Sequence, residues 1–159
     1  MQPCSMAEQD SSAAAEAAES HQFDFWVGEW EVRGPKGKVA GRNRISKILG
    51  GHALLEEWAG VGGLVGMSLN TWSSERSMWH QTWVDSSGTL LLLDGGLRDG
   101  VMVLEGTTID PEQPGGLLLH RISWSVLDEA GDELRQHWQT SVDGERWETA
   151  FDGHYRRVG

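Results

Sequence analysis

A chain of 159 residues is long enough to bury one sizeable core and short for two domains. Its net charge of −11 argues against nucleic acid or an anionic membrane as the main partner, and its single cysteine, Cys4, leaves no disulfide framework or thiolate metal site. Nine tryptophans, each able to bury on the order of 200 Å², predict an aromatic core, while 21 glycines against four prolines fit short strands joined by tight turns.

Met1 to Ser20 is rich in alanine, serine and acidic residues with no apolar face, and is expected to be a flexible tail preceding one domain over residues 21–159. It lacks a basic start followed by an apolar run, and no stretch approaches the ~18 apolar residues of a membrane span, so a soluble cytoplasmic protein is expected.

The folded part opens at His21-Gln-Phe-Asp-Phe-Trp-Val-Gly-Glu-Trp-Glu-Val-Arg33. From Trp26 it reads as a strand, with Trp26, Trp30 and Val32 on one parity and Glu29, Glu31 and Arg33 on the other. Gly28 falls on the apolar parity, where a missing side chain lets a backbone or ring come close. Gly34 to Gly37 is a turn, and Lys38 to Leu49 is the second predicted strand. There Arg42 and Arg44 share a face, either a solvated outer surface or an anion clamp turned into a cavity.

His52 to Gly60 and Val65 to Trp72 are the next predicted strands, joined by a glycine-rich loop that lacks the Gly-Lys-Ser/Thr ending of a phosphate loop. Glu56 and Glu57 must face opposite sides, so only one can be inside; Glu56 would share its face with Leu54 and Trp58. Met78 to Asp85 places Gln81 between Trp79 and Trp83 on one parity, a polar group in an apolar layer that needs hydrogen-bond partners. Thr89 to Asp94 carries four successive leucines, which predicts burial from both sides, with Gly95-Gly96 as its end. Asp99-Gly100 is a strong hairpin signal before Val101 to Thr108.

Leu117 to Leu127 alternates through Ile122, Trp124 and Val126, and Glu133 to Val142 repeats the glutamine-beside-tryptophan pattern with Leu134, Gln136 and Trp138. Arg146 to Val158 closes the chain with Trp147, Thr149, Phe151 and Tyr155 on one parity. About ten strands with hairpin connections predict an all-β, antiparallel up-and-down β-barrel with room for a ligand.

Phe23-Asp-Phe-Trp-Val-Gly-Glu-Trp30, Gly50-Gly51 with Leu54-Leu55-Glu56, Trp79-His-Gln-Thr-Trp-Val-Asp85 and Phe151-Asp-Gly-His-Tyr155 together resemble an uncharacterised bacterial family, one of the domains of unknown function, over His21 to Arg157. The chain is also similar to the calycin superfamily of lipocalins, fatty-acid-binding proteins and nitrobindins. That resemblance implies that Gly28, Trp30 and an arginine of the last strand, Arg156 or Arg157, close one end of the barrel, leaving function to the cavity and open rim.

No nucleophile motif is present, since Gly66-Met-Ser68 lacks the second glycine of a nucleophile elbow, and none of the six histidines has metal-ligand spacing. The pattern calls for no cofactor. Nitrobindin-like barrels hold haem through a histidine, but His154 falls on the outer parity and would need a bulge to turn inward.

Trp58, Trp79, Gln81, Trp83, Gln136, Trp138 and Tyr155 have the composition of a ligand pocket, apolar and aromatic with a few placed polar groups. The leading expectation is a barrel that binds a small hydrophobic molecule, with Gln81 and Gln136 orienting its polar end. An enzyme of cyclase or isomerase type in the same cavity would need an acid or base inside, for which Glu56, His80 and Asp94 are the candidates. A structural module, dimeric through an exposed strand or leucine face, would instead have a filled interior.

Overall fold

In the computed structural model, which describes residues 18–159, segments separated by short connections, eight of the nine containing glycine, become ten strands. They are β1 (Gly28–Arg33), β2 (Val39–Ile48), β3 (Ala53–Gly60), β4 (Val65–Ser73), β5 (Met78–Asp85), β6 (Leu90–Arg98), β7 (Val101–Ile109), β8 (Leu117–Val126), β9 (Glu133–Ser141) and β10 (Glu148–Arg157). Each pairs antiparallel with the next, and β10 returns to β1, so the sheet closes into an up-and-down barrel with no free edge. The tail expected at Met1 to Ser20 lies, apart from its last three residues, outside the described residues. No helix among the described residues is long and apolar enough to cross a membrane.

Trp26 is not part of the first strand. Asp24–Trp26 forms a 3-10 turn that folds beneath the barrel, and Phe23 stacks on Trp26 with ring centroids 4.8 Å apart. Trp124 and Trp79 meet the Phe23 ring edge-on at 5.1 Å and 5.6 Å, so four aromatic rings plug this end. Trp30 fixes the plug by donating from Nε1 to the Trp26 carbonyl at 2.9 Å.

The group that comes close to Gly28 is neither backbone nor ring but the guanidinium of Arg157. Gly28 has φ of 145°, and a Cβ there would collide with Arg157 Nη1. Arg157 lies 4.2 Å over the Trp30 ring and donates to the Val27 and Gly131 carbonyls, each at 2.9 Å, and to Asp132 at 3.1 Å. Arg156 is exposed on the outer face beside Glu133.

Three further strand expectations need correction. Gly95-Gly96 does not end β6, which runs on to Arg98; a Cβ at Gly95 would meet the Val103 carbonyl, so this glycine lets β6 and β7 stay paired. Within β6 only Leu91 and Leu93 are buried, while Leu90 and Leu92 stand about half exposed, so the four leucines alternate and are not covered on both sides. On β10 the register shifts between Thr149 and Phe151. This bulge puts Thr149 outside, bonded to His137 at 3.0 Å, and Phe151 and Tyr155 inside. Trp147 precedes the strand and covers the Arg121 guanidinium at 3.9 Å.

Asp99 and Gly100 both have positive φ, 51° and 80°, as a two-residue hairpin whose twist matches its strands requires. Arg42 and Arg44 are exposed on the outer face of β2.

Candidate functional site

Above the aromatic plug the inward side chains turn polar. Asn43 of β2, Glu56 of β3, Ser68 and Asn70 of β4 and Gln81 of β5 are all buried, and Tyr155 of β10 and Gln136 of β9 complete the layer. Glu56 is the inward member of its pair, 4% exposed, and Glu57 faces solvent. Neighbouring strands bring these groups together: Glu56 sits opposite Ser68 and Asn70 opposite Gln81.

The hydrogen bonds converge on the carboxylate. Asn43 Nδ2 donates to Glu56 Oε2 at 2.7 Å and Ser68 Oγ donates to Oε1 at 2.7 Å. Asn70 Nδ2 backs Ser68 Oγ at 2.8 Å, and Gln81 Nε2 backs Asn70 Oδ1 at 2.7 Å. On the other side Asn43 Nδ2 also reaches Tyr155 Oη at 2.9 Å, and Tyr155 donates onward to Gln136 Oε1 at 2.6 Å. These bonds engage Gln81 Nε2 and Gln136 Oε1 and leave Gln81 Oε1 and Gln136 Nε2 outside the network.

Burial pushes the Glu56 carboxyl up to about 6, although the bonds from Asn43 and Ser68 pull the other way. Burial, and after it the Glu56 charge, hold Tyr155 well above its usual value, so its hydroxyl stays neutral.

This layer forms the floor of a cavity of about 340 Å³, lined by Glu56, Trp58, Gln81, Trp83, Leu91, Ile122, Gln136, Trp138, Phe151 and Tyr155 and reaching a rim at Gly60, Gly62, Leu64, Ala40 and Ala150. The volume is at the small end of the roughly 300–1,000 Å³ found for small-molecule sites. Room for it comes from glycines on the inner faces. Trp83 lies against Gly66, Trp58 against Gly41 and Phe151 against Gly153, each in a space that a Cβ would fill. The rings therefore lie along the wall instead of crossing the lumen.

Trp138 is held from behind. Its Nε1 donates to His120 Nδ1 at 3.1 Å, so the imidazole proton is on Nε2, which bonds Thr108 Oγ1 at 2.7 Å. Burial lowers the His120 pKa, in keeping with a neutral ring fixing the wall.

Of the residues the sequence singles out, Trp58, Gln81, Trp83, Gln136, Trp138 and Tyr155 come together around this cavity with Glu56. Trp79 does not line it: it belongs to the plug below, where its Nε1 faces Gln22 at 3.3 Å. His80 and Asp94 are also elsewhere, on the outer face of β5 and β6, because they occupy the parity opposite Gln81 and Leu93. There His80 bonds Asp94 at 2.9 Å and Thr82 at 2.7 Å, and Arg76 bonds Asp94 at 2.8 Å. Burial raises the Asp94 carboxyl, but the bonds and charges of Arg76 and His80 outweigh it and hold the group below its usual range. The Thr82–His80–Asp94 series has the order of a nucleophile, base and orienting acid, but none of the three lines the cavity, and Asp94 is already paired with Arg76. His154 is exposed on the outer face of β10, 3.5 Å from Glu133, since the bulge lies upstream of it.

Within the polar layer, Asn43 and Asn70 were passed over by the sequence reasoning, and Ser68 was weighed there only as a nucleophile. The signal for Asn43 was its position between Arg42 and Arg44, which face out. Comparison with models of known protein families and with curated protein sequences finds no match to this chain.

Proposed function

We propose that the protein binds a small, largely apolar molecule inside a calycin-like barrel. The observation that carries this reading is the cavity of about 340 Å³, walled by Trp58, Trp83, Trp138 and Phe151 and floored by a hydrogen-bonded polar layer. Its aromatic walls with few, fixed polar groups are the composition that small-molecule sites share. Gln81 Oε1 and Gln136 Nε2 orient the polar end of the ligand. The likeness to calycins is supported by the Arg157 guanidinium stacked on Trp30 beside Gly28. A filled-core structural module predicts no ligand-sized void, which this cavity speaks against.

The experiment is a comparison of native and denaturing mass spectra of freshly purified protein. We expect a reproducible extra mass that disappears on denaturation. Bare protein whose tryptophan emission is also unmoved by a panel of small aromatic molecules would overturn the reading.

One observation favours a second reading, an enzyme of cyclase or isomerase type: Glu56 lines the cavity with its carboxyl lifted to about 6, near the range where a group both takes and returns protons. In that case Glu56→Gln abolishes turnover while leaving substrate affinity largely intact.

A further inference from the structure

Resting on the ligand-binding reading above, we propose that the cavity selects lipophilic organic cations, amines whose apolar body lies along the tryptophan wall and whose ammonium group is seated on Glu56. Three features of the cavity point to that charge.

The first is the absence of a counter-ion. Glu56 is 4% exposed, and among the described residues no lysine, arginine or histidine lines the cavity. A buried carboxylate normally has a cationic partner or holds its proton. The groups facing it are Asn43 from β2, Ser68 from β4, Gln81 from β5, Gln136 from β9 and Tyr155 from β10, and of these only Tyr155 titrates. None can supply positive charge.

The second is unused acceptor capacity. A carboxylate offers about four lone-pair positions. Two are taken, one on each oxygen, by Asn43 and Ser68. Gln81 Oε1 is a further acceptor on the cavity, against which Gln136 Nε2 is the side-chain donor left over. The floor thus has more acceptors than donors, which suits an ammonium, a group that only donates.

The third is the surroundings. Indole faces attract cations more strongly than other aromatic faces do, and Trp58, Trp83 and Trp138 all line this space. The net charge of −11 draws cations toward the protein and repels carboxylates. A fatty acid or aromatic acid would place its own negative charge against Glu56 on a floor with no cation.

The test uses tryptamine, tryptophol and indoleacetate, which share one ring and end in an ammonium, a hydroxyl and a carboxylate. Affinities of the intact protein are measured by calorimetry. We expect tryptamine to bind at least about tenfold more tightly than tryptophol near neutral pH, indoleacetate to bind weakest, and Glu56→Gln to bring tryptamine down to tryptophol. A wild-type measurement guards against a variant that fails to fold. Because only the ionised carboxylate attracts the cation, tryptamine affinity should fall about tenfold from pH ~7 to pH ~5, while tryptophol stays level. Equal binding of tryptophol and tryptamine, or a preference that survives Glu56→Gln or ignores pH, overturns the cation assignment alone. Failure of all three compounds to bind overturns the cation assignment, and the ligand-binding reading falls with it only if the mass spectra also show bare protein.

Discussion

At the scale of single residues, Glu56 makes the stability of the barrel depend on pH. Its carboxyl is lifted from 4.5 to about 6 by burial, so the folded protein holds that proton more tightly than the unfolded chain does. The stability this group contributes is fully present below the unfolded value and is lost as pH rises toward the folded one. At about 1.4 kcal/mol per unit, the loss between pH ~4 and pH ~7 is about 2 kcal/mol. Glu56→Gln removes the ionisable group. Unfolding free energies from urea titrations should therefore shift in favour of the variant by about 2 kcal/mol between those two pH values, relative to wild type. Asp94 and Asp152, whose carboxyls are held low, act in the opposite direction but are common to both proteins and cancel in the difference. A difference independent of pH would mean that Glu56 ionises as readily in the barrel as in the unfolded chain.

At the scale of elements, β4 shows why the site was only partly legible. Its inner positions are Gly66, Ser68, Asn70 and Trp72, while Val65, Met67 and Leu69 are about half exposed on the outside. Hydrophobic alternation would turn this strand the other way, because that rule assumes an apolar interior and here the interior is a polar floor. Strands whose inner parity carried tryptophan, such as β5 and β9, were readable, and so were Gln81 between two rings and Gln136 beside one. Ser68 and Asn70 had no such marker. Gly66 also controls cavity size, since its missing side chain is where Trp83 lies. In Gly66→Ala the new methyl meets the indole and not backbone, so the ring can swing into the lumen, giving up its 2.9 Å bond from Nε1 to Asp85. We expect ligand affinity to fall about tenfold and stability by no more than about 1–2 kcal/mol. Gly95→Ala should be far worse for folding, because the obstacle there is the Val103 carbonyl of the paired strand. Calorimetric titration with a bound ligand and thermal melts of the two variants separate these outcomes.

At the scale of the whole molecule, the barrel divides into an end plugged by aromatic rings and an end where the cavity opens. The closed end was legible as a Gly-x-Trp string with a late arginine. Which arginine it was, and that Trp26 turns under the barrel, depended on contacts between the first and last strands that no local pattern carries. Arg157 joins Trp30, Val27, Gly131 and Asp132, tying the entry of β1 to β10 and to the β8–β9 turn. It touches none of the cavity. Arg157→Met keeps much of the apolar stem but removes the stacked charge and every one of those bonds. Losing hydrogen bonds from a charged donor should cost about 2–3 kcal/mol. For a domain of this size that corresponds to a fall in Tm of roughly 5–10 °C. The link between the two ends is Trp30, which carries the Arg157 guanidinium on its ring and meets the Tyr155 ring edge-on at 6.0 Å. Since no hydrogen bond of the Glu56 floor runs through it, affinity measured well below the lowered Tm should stay within about twofold of wild type. A large loss of affinity in this variant would show that the plug and the polar floor form one coupled unit. An unchanged Tm would show that closure of the sheet alone holds the barrel shut.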